Sequence, residues 1–169
     1  MKIEVVNKTG KKIDESFVRK ILEKTLEVSG KKMKSVSFSI VFVGEKEIQL
    51  LNRAYRKKNK PTDILSFNYS SEYNKRRKRG AIEGLPASLR EALLAGELII
   101  CPEIVAKSAK QNKASFHKEL AFVVSHGVLH LLGMKHGKRM HEMQDKISTN
   151  YQSNTNIRMN FLQDHYVKD

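Results

Sequence analysis

Residues 125–136 read SHGVLHLLGMKH, and three of the chain's six histidines fall inside them. His126 and His130 are four apart, so on a helix they share one face. Gly133 stands where the left-handed residue that ends a helix belongs. A chain that reverses there can bring His136 back toward the other two. Three imidazoles meeting at one point make a zinc-type site. Three protein ligands leave a fourth position for water, the arrangement of catalytic rather than structural zinc. The alternative is three half-buried histidines, each satisfied by its own hydrogen bonds; a glycine at the one position where the turn must come argues against it. His117 and His165 have no comparable spacing, and only His141 could also approach. The motif therefore demands a helix closing near residue 132, a tight turn, and a third ligand beyond it.

The same spacing occurs in the metzincin protease signature, H-E-x-x-H-x-x-G-x-x-H. In this chain Gly127 stands in place of the glutamate that serves those proteases as general base. Peptide hydrolysis is therefore disfavoured. The capacity of zinc to lower the pKa of a bound water toward about 7 remains.

Net charge is +14, from 32 Lys and Arg against 18 Asp and Glu, which favours a polyanionic partner over mere solubility. The charge is clustered: Arg53, Arg56, Lys57, Lys58 and Lys60 form one group, Lys75, Arg76, Arg77, Lys78 and Arg79 another. Neither lies in a large basic amphipathic helix, so nucleic acid rather than a membrane is the expected partner. The single Cys101 excludes an internal disulfide and a cysteine-based zinc site, and it suits a reducing compartment. MKIEVVNKTGKK contains no apolar signal region, and no apolar run approaches the roughly 18 residues of a membrane span. The expected setting is the cytoplasm. A length of 169 residues suits one domain, expected over 1–150, with a polar tail over 151–169.

Along the chain, KIEVVN (2–7) reads as a strand, and Asp14 as the N-cap of a helix that Gly30 stops. SVSFSIVFVG alternates apolar and polar residues as a half-buried strand does. EKEIQLLNRAY (45–55) is a short helix. DILSFNY (63–69) and GELIICP (96–102) are strands, the second apolar enough to be central, and Pro102 opens a helix through about residue 112. A helix over 116–132 carries the histidine pair, and another covers 138–149. Between the third and fourth strands, residues 70–94 form a basic insertion closed by the weak helix ASLREALLA. The expected fold is α+β: a mixed, mostly four-stranded sheet packed with about five helices, the metal site at a helix end.

Three blocks in order, LNRAYRKKNKPTDILSF (51–67), GELIICPEIV (96–105) and HGVLHLLGMKH (126–136), resemble the YbeY family, bacterial metal-dependent endoribonucleases of ribosomal RNA maturation. The resemblance spans most of residues 40–147 and leaves the tail uncovered. It implies a mixed sheet packed with helices and His126, His130 and His136 as metal ligands, holding one Zn²⁺ per chain or another divalent transition metal. It also implies Arg56 as the active-site arginine. An arginine suits charge that builds on phosphoryl oxygens, because its planar fork binds two of them and stays protonated. Arg53, Lys57 and Lys60 would then position phosphates, with Arg76, Arg77 and Arg79 as further RNA contacts. The implied function is cleavage of single-stranded RNA, in ribosomal RNA maturation and ribosome quality control. RNA or the ribosome is the partner; no membrane and no DNA specificity are expected. The rival is a non-catalytic RNA- or ribosome-binding assembly factor whose metal pins the last helices. This chain departs from the family pattern at Met134 and Lys135, where an aromatic residue and Asp are usual, and at Asn68, where proline is usual.

Overall fold

The computed structural model describes residues 2–30, 37–69, 96–148 and 151. Strand β1 (Lys2–Asn7) leads to helix α1 (Glu15–Ser29). Asp14 caps that helix, its Oδ1 accepting the Phe17 N–H at 3.0 Å, which satisfies one of the amides a helix start leaves unpaired. Val18, Ile21, Leu22, Thr25 and Leu26 form its buried face. Strand β2 (Ser37–Phe42) buries alternate residues, Phe38, Ile40 and Phe42. Then come α2 (Glu45–Arg56), β3 (Ile64–Asn68), β4 (Gly96–Ile100), α3 (Pro102–Gln111), α4 (Phe116–Leu131) and α5 (Lys138–Ser148).

The sheet runs β1-β2-β4-β3, parallel except for β3, which pairs antiparallel with β4. GELII is thus central, as its unbroken apolar run implied. Parallel strands need cover on both faces. Ile64 and Leu98 point into the main core beneath α1 and α4, while their neighbours Leu65 and Ile99 join Ile48 of α2 on the other face. This is the expected mixed sheet, with five helices among the described residues.

The strands are one or two residues shorter than expected at several ends. Asp63 precedes β3 and closes on it, its Oδ1 accepting the Ile64 N–H at 2.8 Å. Cys101, expected within the strand, is buried at the N-cap position of α3. The readings of residues 70–94, including Arg76, Arg77 and Arg79, and of the chain beyond 151 lie outside the described residues. Among the described residues no helix is long and apolar enough to cross a membrane.

Helix α4 positions the histidines. From Lys118 to Leu131 every residue is buried except Phe122, His126 and His130, which recur every fourth residue and so make one stripe. The opposite side lies hard on the sheet. A Cβ on Gly127 would sit 2.6 Å from Ile64 Cδ1 and 2.7 Å from Leu98 Cδ2, closer than carbon atoms pack.

Candidate metal centre

The end of α4 is built by its last hydrogen bonds. Met134 N–H donates to Leu129 O at 3.0 Å and Gly133 N–H to His130 O at 2.9 Å, with Gly133 at φ +81°. This is a Schellman turn, which needs a residue free to adopt the left-handed conformation. It carries the chain back over the helix end and delivers His136. One ring nitrogen from each of His126, His130 and His136 lies within 4.8 Å of the others, the only group of three such side chains among the described residues.

The donor set fits a zinc-class ion. Tetrahedral ligands about 2.0–2.1 Å from a metal lie about 3.3 Å from one another; His126 Nε2 and His130 Nε2 are 3.1 Å apart. On the far side of its ring, His130 Nδ1 faces the Met134 carbonyl at 3.1 Å. A carbonyl only accepts, so Nδ1 carries the proton and Nε2 keeps its lone pair for the centre. His126 stacks against Phe122, ring centroids 5.9 Å apart, and its Nδ1 meets the Gln144 amide at 3.2 Å.

Burial, then the charges that His130 and His136 would carry, push the His126 pKa down to about 4. Burial, then His130 and His141, push His136 down to about 4 as well. His130 is lowered by burial and by the nearby Arg56 charge, against the opposing bond to Met134. All three are thus neutral at pH 7, as metal ligands must be.

This has a consequence for the metal-free protein. A histidine in the unfolded chain takes up its proton near pH 6.5, while folded His126 does so only near 4. Between those values the unfolded state binds more protons, so stability is full above about pH 6.5 and declines as pH falls toward 4. His136 contributes less because it is exposed. Melting of chelator-treated protein should show this decline, with a shallower slope between pH 6.5 and 5 in His126→Ala. Equal slopes would mean that the cluster is not protected from protons.

An open groove of about 640 Å³ begins at the cluster, lined by Tyr55, Arg56, Phe67, Asn68, His130, Lys135 and His136 among others. Arg56 closes α2 and lies near both His130 and Asp63; burial lowers its pKa and Asp63 opposes the shift. A guanidinium stays charged at pH 7 regardless. Tyr55 is 65% exposed, its ring set edge-on to Phe67 with centroids 5.0 Å apart. Arg53, Lys57 and Lys60 are exposed and are not among the groove's lining residues. The structure therefore brings Arg56 to the histidines and leaves those three on the adjoining outer surface. Gln144, and the turn carbonyl of Met134, were missed from sequence. The signal for Gln144 was its place between Met140 and Ile147 at helical spacing, a polar residue within an apolar stripe.

Fold and site together define a class: an α+β protein in which a buried helix ends in three converging histidines that could hold a metal ion. The chain belongs to the YbeY family; the model of endoribonuclease YbeY matches residues 3–154. An endoribonuclease YbeY of Thermodesulfovibrio yellowstonii is 33% identical over 168 residues, covering 88% of this chain and 96% of that protein. One from Staphylococcus carnosus is 38% identical over 108 residues, covering 64% of this chain and 62% of its own length. The solution structure of TM1509 from Thermotoga maritima is similar with a TM-score of 0.55 at 28% identity, covering 92% of this chain and 99% of that one.

Proposed function

We propose that this protein is a zinc-dependent endoribonuclease that cuts single-stranded RNA in the cytoplasm, serving ribosomal RNA maturation and ribosome quality control. The observation that carries the reading is the opening of one groove onto both the histidine cluster and Arg56. His126, His130 and His136 hold one Zn²⁺ per chain or a similar divalent transition metal. The bound ion supplies Lewis acidity, making water nucleophilic near neutral pH and polarising a phosphate oxygen. Arg56 pairs with the phosphoryl oxygens as their charge grows. Tyr55 offers an exposed ring at the groove for an unpaired base. The outlying Arg53, Lys57 and Lys60 draw in the backbone, and Arg76, Arg77 and Arg79 extend that attraction. Residues 1–150 act as one unit with 151–169 as a tail. No preference for DNA is expected.

The test is cleavage of a labelled single-stranded ribosomal RNA fragment, alongside elemental analysis. The expected result is about one zinc-class ion per chain, with cleavage lost to chelator and restored by metal. One observation favours the rival assembly-factor reading: among the described residues no carboxylate lines the groove to take a proton. Tight RNA binding with metal bound and no cleavage would decide for that rival.

Arg56→Ala should keep its metal and fold while cleavage slows by about 10²-fold, the scale of losing one preorganised charge-stabilising donor. An unchanged rate with weaker RNA binding would make Arg56 a binding residue only.

A further inference from the structure

We propose that Gln144 is the positioning residue that lets His126 exchange its ring proton between nitrogens as metal enters and leaves. This rests on the three histidines being the metal ligands.

Hydrogen positions around the cluster follow from one fixed point. The Met134 carbonyl obliges His130 to carry its proton on Nδ1. His130 Nε2 is then an acceptor, and the 3.1 Å approach of His126 Nε2 is a hydrogen bond only if His126 donates from Nε2. With that proton in place, His126 Nδ1 is bare and accepts from Gln144 Nε2–H at 3.2 Å. The bonds thus run in one chain from Gln144 through His126 and His130 to the Met134 carbonyl.

In that state His126 is the wrong tautomer for a metal, because the nitrogen facing the centre is protonated. Coordination requires the proton to leave Nε2 and one to be taken up on Nδ1, so the imidazole stays neutral and no net proton is released. Nδ1 then becomes a donor and needs an acceptor in the same place. Gln144 is 3% exposed and held on the buried face of α5 with Met140 and Ile147, so water does not readily replace it. A primary amide carries both functions: turning about its last bond presents Oε1 where Nε2 had been. Glutamine therefore supports the metal-free cluster as a donor and the metal-bound cluster as an acceptor. A carboxylate could do only the second, and an apolar side chain neither.

The experiment measures affinity for cobalt(II) and zinc(II) by competition with a chromophoric chelator, using the metal-free full chain with no RNA present. Gln144→Met keeps the volume and removes both functions; it should weaken metal binding about 10–100-fold, the usual cost of losing a partner of a ligating histidine. Gln144→Glu keeps the acceptor; it should bind metal at least as tightly as wild type while its metal-free form melts lower, since its carboxylate cannot donate to Nδ1. Equal weakening in both variants would reduce Gln144 to packing, and unchanged affinity in Gln144→Met would remove it from the site; either overturns the proposal. Wild-type protein whose affinity is unaffected by His126→Ala would instead overturn the ligand assignment itself.

Discussion

His126→Ala and His130→Ala should each abolish metal retention and RNA cleavage together. Each removes one of three nitrogens that approach within 4.8 Å of one another. The loss should exceed the about 10–100-fold that accompanies removal of a ligand's partner alone. The fold should survive, because both rings lie on the half-open stripe of α4 and alanine is the best helix former. Circular dichroism, elemental analysis and cleavage of the same samples check this. Full metal occupancy in either variant would refute the ligand assignment.

Gly127→Glu should fail to fold, or melt far below wild type. A metzincin carries glutamate at this place in the motif, so the substitution would complete that signature. Here the position faces the sheet rather than the groove: its Cβ would meet Ile64 Cδ1 and Leu98 Cδ2 at 2.6 and 2.7 Å. Overpacking a core costs about 1–3 kcal/mol. A carboxylate enclosed without a partner adds several more, against total stabilities of about 5–15 kcal/mol. Gly127→Ala is the control. It gains about 1 kcal/mol of helix propensity, and the obstructing atoms are side-chain ends able to yield, so its melting point should move much less. A Gly127→Glu protein that melts like wild type would mean that α4 can stand off the sheet. The absent general base thus has a packing cause. The helix approaches β3 and β4 too closely for a long, charged side chain there.

Much of this was legible in the residues because it is local. The Asp14 cap, the alternation of Phe38, Ile40 and Phe42, and the pairing of His126 with His130 each depend on neighbours a few positions away. Gly133 announced its turn for the same reason. What escaped depends on pieces distant in sequence coming together. The order β1-β2-β4-β3, with the last strand reversed, has no local signature. Gln144 reaches His126 only because α5 folds back over α4. Arg53, Lys57 and Lys60 share a basic run with Arg56, yet Arg56 continues the stripe of Ile48 and Asn52 along α2, while Arg53 lies off that stripe and Lys57 and Lys60 follow the helix end; charge clustering alone could not separate them.

The Schellman turn divides the site into a rigid part and a hinged part. His126 and His130 stand on a helix wrapped on nearly every side, whose amides should exchange with solvent only when the whole structure opens. His136 follows a turn held by two backbone bonds and the His130 bond to Met134 O, in a stretch where Gly133, Lys135, His136 and Gly137 are exposed, and that stretch should open at a lower free energy than the helix. Anything clasped by all three rings should therefore be released faster than the protein unfolds. Residence time and melting temperature are therefore separate quantities here. A substitution at Gly133, strained by its left-handed backbone at about 1–2 kcal/mol, should shorten the first considerably more than it lowers the second.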